Sequence, residues 1–142
     1  MKQFIGDAFS SGQPSREDLA RFARSGGRTI INLRAASEPV EFDEAVEAGR
    51  LGLHYLHLPV AGAVDLTPSN VRQFGAAFDR ARDAGRVLVH CASANRVGAM
   101  VALDQAINRR ASLEAALDLG RLAGLTSLEP TVIAIAKQAT GG

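Results

Sequence analysis

The sequence predicts an α/β fold with a mostly parallel central sheet of four to five strands flanked by helices. Three observations carry that expectation. Short apolar, β-branched runs at Thr29-Ile30-Ile31-Asn32-Leu33, Leu53 to Val60 and Val87-Leu88-Val89 read as buried strands. Between them lie segments whose apolar residues recur three and four apart, as on one face of a helix. Glycines and capping residues punctuate the alternation, and strands alternating with helices build α/β sheets.

In chain order, Phe4 to Phe9 reads as a short edge strand and Ser11-Gly12-Gln13-Pro14 as a turn. Ser15 is a helix N-cap with Asp18 as its acidic capping-box partner; Leu19, Phe22 and Ala23 form the buried face, and Gly26-Gly27 ends the helix. After the Thr29-to-Leu33 strand, a helix from Glu38 to Arg50 stops at Gly52, and the strand from Leu53 to Val60 follows. Thr67-Pro68 starts a helix with proline in first position, and Val71, Phe74, Phe78 and Ala81 repeat at helical spacing up to Gly85. Past the Val87-to-Val89 strand, everything from Arg96 onward reads as helical. Val97 and Ala99 to Leu103 are apolar almost all round, so that helix should be central and covered. Ser112 caps the next helix and Gly124 stops it. The last helix runs from about Leu128 to Ala139 with Pro130 in its first turn, and Gly141-Gly142 is a frayed end.

With 142 residues, the chain suits one domain with a real core, taken as residues 1–142. Sixteen basic against fifteen acidic residues leave a net +1, which points to neither nucleic acid nor an anionic membrane as partner. The single cysteine excludes an internal disulfide and a multi-cysteine metal site. His54 and His57 lie three apart on a strand and face opposite sides, so no metal pair is expected. No apolar stretch reaches membrane-spanning length, and Met1 to Gly12 lacks a signal-peptide core. A cytoplasmic protein is expected, with an exported precursor left open; the oligomeric state is not legible.

Chemistry concentrates at one turn. Cys91-Ala92-Ser93-Ala94-Asn95-Arg96 directly follows Val87-Leu88-Val89-His90 and directly precedes the apolar helix, so a strand end, a tight turn and a helix start coincide. Parallel sheets bind ligands at such strand ends. The first N–H groups of a helix lack internal partners and the helix dipole adds positive potential, which suits an oxyanion and favours a thiolate. Cys91 is therefore the candidate nucleophile and Arg96 the oxyanion clamp. The N–H groups of Ala92, Ser93, Ala94, Asn95 and Arg96 form the cradle. The plainer alternatives are an inert core cysteine and an ordinary helix-start arginine.

Five segments together carry a family resemblance: Ser11-Gly12-Gln13-Pro14-Ser15; Arg28-Thr29-Ile30-Ile31-Asn32-Leu33-Arg34 with Glu38; Leu58-Pro59-Val60; His90-Cys91-Ala92-Ser93; and Asn95-Arg96-Val97-Gly98-Ala99. Over about residues 3 to 125 the chain resembles the cysteine-based protein tyrosine and dual-specificity phosphatases. It is most similar to a bacterial phosphatase-like (DUF442-like) family also found fused to β-lactamase-hydrolase-like or persulfide dioxygenase domains. The resemblance implies the three-layer fold of dual-specificity phosphatases and an anion-binding P-loop. It also implies hydrolysis of phosphate monoesters through a cysteinyl-phosphate, without metal or cofactor. It further implies a general acid on the loop after Leu58-Pro59-Val60, where Asp65 is the only carboxylate. Asp65 equally suits the simpler role of a negative charge near the helix start at Thr67-Pro68.

Three departures from the family pattern bear on the chemistry. Only four residues separate Cys91 from Arg96, where phosphatases usually have five; rhodanese-type sulfurtransferases use the shorter span, and a narrower cradle favours a persulfide or smaller anion. Ala94 stands where a glycine is usual, which strains or narrows the loop. Val97 stands where a Ser or Thr hydroxyl usually helps the cysteine leave, so turnover should be slow. Around the loop, His90 is expected to hydrogen-bond rather than transfer protons, and Ser93 and Asn95 to brace the loop. Arg34 and Glu38 should brace the pocket from beneath, and Asp104 should be a bundle-edge contact. The leading function is thus a phosphatase-like hydrolase of a phosphorylated small molecule or protein. A sulfurtransferase carrying a Cys91 persulfide to or from a sulfur-carrying partner is the alternative, and a non-catalytic anion-binding module the third reading.

Overall fold

The computed structural model describes residues 1–141; Gly142 of the expected frayed end lies outside the described residues. Strands β1 (Lys2–Ile5), β2 (Ala8–Ser11), β3 (Gly27–Asn32), β4 (His54–His57) and β5 (Arg86–His90) form one sheet in the order β1-β2-β5-β3-β4. The last four are mutually parallel, and only β1 is antiparallel to its neighbour. Six helices flank the sheet: α1 (Arg16–Arg24), α2 (Glu44–Arg50), α3 (Pro68–Ala84), α4 (Asn95–Leu103), α5 (Leu113–Leu122) and α6 (Glu129–Thr140).

Strand periodicity sorts the core into two layers. Ile30 and Leu88 pack with Leu19, Phe22, Ala48 and Leu53 beneath α1 and α2. Ile31, Val87 and Val89 pack with Phe74, Phe78, Val97, Met100 and Val101 beneath the other helices. Along β5 the same alternation continues past the apolar run. Cys91 follows Val87 and Val89 into the α3–α6 layer, whereas His90 hydrogen-bonds a residue of α2. Sequence-encoded caps fix the helix starts. Ser15 and Asp18 form a reciprocal capping box, and Thr67 and Ser112 accept from the amides of Asn70 and Ala115.

Four expectations need correction. Phe4 to Phe9 is a hairpin, not one strand: Gly6, with φ of 50°, turns the chain at Gly6-Asp7 between β1 and β2. The helix expected from Glu38 begins only at Glu44, because Pro39 lacks an N–H and disfavours helix in the residue before it, while Asp43 supplies the N-cap. Residues 33–43 are instead a loop over the strand ends. The Leu53-to-Val60 strand is cut to His54–His57. The region after Arg96 is not wholly helical: α4 runs into a π-helical turn at Asp104–Asn108, residues 109–112 leave the helix, and 123–128 form another connection. Asp104 is fully buried there, accepting from Asn108 Nδ2 and Arg109 Nε at 2.8 Å each.

Gly98 lets α4 lie against the α5 backbone. A Cβ there would sit 2.1 Å from the Leu125 nitrogen and 2.6 Å from the Gly120 carbonyl oxygen. Gly98→Ala is expected to cost about 3 kcal/mol through this overlap, read as a lower urea midpoint at unchanged slope.

Candidate active site

The carboxyl ends of β3, β4 and β5 deliver three segments to one place: Arg34 with Glu38, the Leu58-Pro59-Val60 loop, and Cys91 with the turn into α4. Cys91 is fully buried beneath that turn, its N–H donating to the Ser11 carbonyl at 3.4 Å. Ala94 has φ of 71°, the left-handed conformation that costs a non-glycine residue about 1–2 kcal/mol. It reverses the chain so that α4 begins at Asn95, and its carbonyl accepts the Gly98 N–H at 2.9 Å. Space for its methyl group comes from Gly124, where a Cβ would lie 2.6 Å from Ala94 Cβ. Among the described residues, no protein acceptor pairs with the N–H groups of Ala92, Ser93, Asn95 and Arg96. The turn therefore presents unpaired donors at a helix start.

Arg96 is turned inward, its side chain 14% exposed. Nη1 donates to Glu38 Oε2 at 2.6 Å and to the Val60 carbonyl at 2.8 Å, and Nη2 donates to Glu38 Oε1 at 2.8 Å. A guanidinium has five N–H groups in a fixed plane. Three are used here, which leaves Nε–H and one Nη2–H, side by side on one edge, for a ligand. Glu38 hydrogen bonding raises the Arg96 pKa against the opposing effect of burial, and the nearby Cys91 sulfur adds to the rise. The same contact pulls Glu38 down from the usual 4.5 to about 2, opposed by burial and assisted by the Ala35 N–H and by the charges of Arg96 and Arg34. Arg34 Nε lies 3.4 Å from Glu38 Oε1.

A second set of bonds holds the turn from outside. Gly12 pairs with Ser93 in an isolated antiparallel bridge, and the Gln13 N–H donates to the Ala92 carbonyl at 3.2 Å. A Cβ on Gly12 would approach the Ala92 oxygen to 2.6 Å, so glycine permits the approach. His90, also fully buried, places Nε2 2.5 Å from Glu44 Oε2 and Nδ1 3.3 Å from the Cys91 carbonyl. Gln13 Nε2 donates to Glu44 Oε1 at 2.8 Å, and its oxygen accepts Arg34 Nη1 at 2.8 Å.

The structure thus brings Cys91, Arg96, the loop residues Ala92 to Asn95, His90, Arg34 and Glu38 together. Ser93 is exposed, and Asn95 reaches sideways: Oδ1 accepts the Thr126 N–H at 2.8 Å and Nδ2 donates to Ser127 Oγ at 2.7 Å. Asp65 stands half-buried in a 3-10 turn, Ala63–Asp65, on the loop that also supplies the Val60 carbonyl. One of its oxygens accepts the Ala61 N–H at 2.7 Å, and the helix start nearby is capped by Thr67 instead. His57 Nε2 hydrogen-bonds the Arg34 carbonyl at 2.5 Å, and His54 is exposed. Sequence reasoning missed Glu44 and gave Gln13 no role. A signal existed for both: a histidine on the buried run of β5 needs a polar partner, and the acidic start of α2 follows the Arg34 loop directly.

Residues 2–108 match the family described as "Beta-lactamase hydrolase-like protein, phosphatase-like domain". The chain belongs to that family. A β-lactamase hydrolase-like protein of Xylella fastidiosa is 37% identical over 118 residues, which are 80% of this chain and 27% of that protein. The phosphatase-like chain therefore spans only about a quarter of the length of the curated relatives it matches. Among solved structures, a putative phosphatase (DUF442) from Shewanella putrefaciens superposes with a TM-score of 0.74 at 22% identity, covering 99% of this chain and 88% of that one. P. aeruginosa TpbA in complex with pTyr superposes with a TM-score of 0.73 at 18% identity, covering 97% and 89%. These likenesses establish the phosphatase-like fold. No helix of the described residues is long and apolar enough to cross a membrane, and no three His, Cys, Asp or Glu among them are grouped to hold a metal ion.

The Glu38 clasp sets a pH dependence for this phosphatase-like domain. Its carboxylate is depressed in the fold, so its contribution is present above about pH 4.5 and lost as the pH falls through about 2. The unfolding free energy of the parent, from urea titrations, should fall between pH 4.5 and 2 by an amount, on the order of 2 kcal/mol, that Glu38→Gln does not show.

Proposed function

We propose that this domain hydrolyses phosphate monoesters with Cys91 as nucleophile. The observation that carries the reading is the Arg96 guanidinium. Glu38 and Val60 hold it near the buried cysteine at the start of α4 with two donors unspent. A tetrahedral oxyanion above the sulfur meets that edge and the unpaired loop amides together. The pTyr named with TpbA adds support for a phosphorylated substrate.

In the first step Cys91 Sγ attacks phosphorus; the S–P bond forms, the P–O bond to the leaving group breaks, and Asp65 gives its proton to the departing oxygen. In the second, water attacks phosphorus and loses a proton to Asp65; the S–P bond breaks and its electron pair returns to sulfur. Only Arg96 and the helix start then stabilise the departing thiolate, because Val97 offers no hydroxyl and is fully buried. The second step should therefore be the slow one.

With para-nitrophenyl phosphate, the expected result is a burst of nitrophenol followed by slow turnover. Cys91→Ser should reduce it to background, and Asp65→Asn should lower kcat about a hundredfold. A fully active Cys91→Ser protein would end the reading. The four-residue span and Val97 favour a second one, in which Cys91 attacks thiosulfate, the S–S bond breaks, sulfite leaves and a persulfide remains. Sulfite release that needs Cys91 but not Asp65 would select it. Phosphate bound without turnover of either substrate would select an anion-binding module.

A further inference from the structure

Two peptide planes at the start of the cysteine loop are held by their carbonyls. The Cys91 carbonyl faces His90 Nδ1 at 3.3 Å, and the Ala92 carbonyl accepts the Gln13 N–H at 3.2 Å. In a planar trans peptide, the C=O and the N–H of the next residue point in opposite directions. Holding the Cys91 carbonyl therefore aims the Ala92 N–H the other way, and holding the Ala92 carbonyl does the same for the Ser93 N–H. Both N–H groups are among those with no protein acceptor.

Both holds converge on one carboxylate. Glu44, 5% exposed at the start of α2, offers Oε2 to His90 Nε2 at 2.5 Å and Oε1 to Gln13 Nε2 at 2.8 Å. His90 has an oxygen at each ring nitrogen, so the His90–Glu44 pair must hold two protons between them for Nδ1–H to donate to Cys91. Gln13 is fixed from its other side by Arg34, so its side chain cannot turn its oxygen toward Glu44 without losing that bond.

We propose that Glu44 is a positioning residue: through His90 and Gln13 it sets the Cys91–Ala92 and Ala92–Ser93 peptides so that their N–H groups face the bound anion. This rests on the reading of the loop as an oxyanion cradle. Removing the carboxylate frees the first peptide to rotate and turns a donor of the cradle into a carbonyl. Nothing else at the site changes: Arg96 keeps Glu38 and Val60.

The test is titration of nitrogen-15-labelled full chain with inorganic phosphate, following the Ala92 and Ser93 amide resonances. In the parent both should move as phosphate binds. Glu44→Ala should weaken phosphate binding about tenfold and abolish the Ala92 response. Glu44→Gln, with its amide NH2 toward a neutral His90 Nε2 and its oxygen toward Gln13 Nε2, keeps both contacts. It should recover both the Ala92 and the Ser93 responses and most of the affinity. Circular dichroism reports whether each variant folds; if Glu44→Ala does not, Gln13→Ala decides, since it leaves His90 on Glu44 and should weaken the Ser93 response while sparing Ala92. A folded Glu44→Ala with parental affinity and Ala92 response overturns the proposal, as does a Gln13→Ala protein indistinguishable from the parent at Ser93. A Glu44-dependent phosphate response in a protein that hydrolyses no monoester upholds it while removing the hydrolase reading. A parent that binds no phosphate overturns both.

Discussion

The site depends on a guanidinium that is mostly covered and whose charge must therefore be met by protein partners. Arg96 has 14% of its side chain exposed, and a charge so placed is tolerated only when hydrogen bonds replace lost water. Its partners come from separate crossovers: Glu38 from the loop after β3 and the Val60 carbonyl from the loop after β4. Satisfying one cation thus ties two strand ends to the start of α4. It also fixes which edge of the guanidinium is left over.

A second constraint is the two-residue period of β5. Val87, Val89 and Cys91 share one face, and Leu88 and His90 share the other. The nucleophile candidate and its histidine neighbour are therefore sent to opposite core layers by adjacency alone. Cys91 reaches the start of α4, where donors are unpaired. His90 reaches the start of α2, where Glu44 waits in the layer beneath. Neither could exchange roles with the other without a one-residue register shift, which would also send Val87, Leu88 and Val89 to the wrong core layers.

Much of this was legible from residue order. The parallel strands, the caps at Ser15, Thr67 and Ser112, and the cysteine turn all depend on local signals: β-branched runs, side chains that bond nearby amides, a glycine stop. What was not legible depends on contacts far apart in the chain. Glu38 lies 58 residues from Arg96 and Glu44 lies 46 from His90, and no local pattern links them. The over-long helix from Glu38 is instructive, because its acidic and apolar spacing suited a helix and Pro39 alone argued otherwise. The loop that replaced it carries Glu38 onto Arg96.

Ala94 shows how a rule broken locally is satisfied elsewhere. A glycine would adopt φ of 71° at no steric cost, whereas alanine must store about 1–2 kcal/mol. The connection between α5 and α6 answers with Gly124, whose missing side chain makes room for the Ala94 methyl group, and Asn95 ties that same connection down through Thr126 and Ser127. The short turn is therefore gripped on three sides: by Gly12 and Gln13, by His90, and by residues 124–127. A loop held this way cannot widen easily, so under the proposed reading its four-residue span limits which anion fits above the sulfur. Charge adds little selectivity of its own, since Glu38 offsets one of the two guanidinium charges of Arg34 and Arg96, which leaves about a single positive charge at the pocket floor. Discrimination must come from where the amides point.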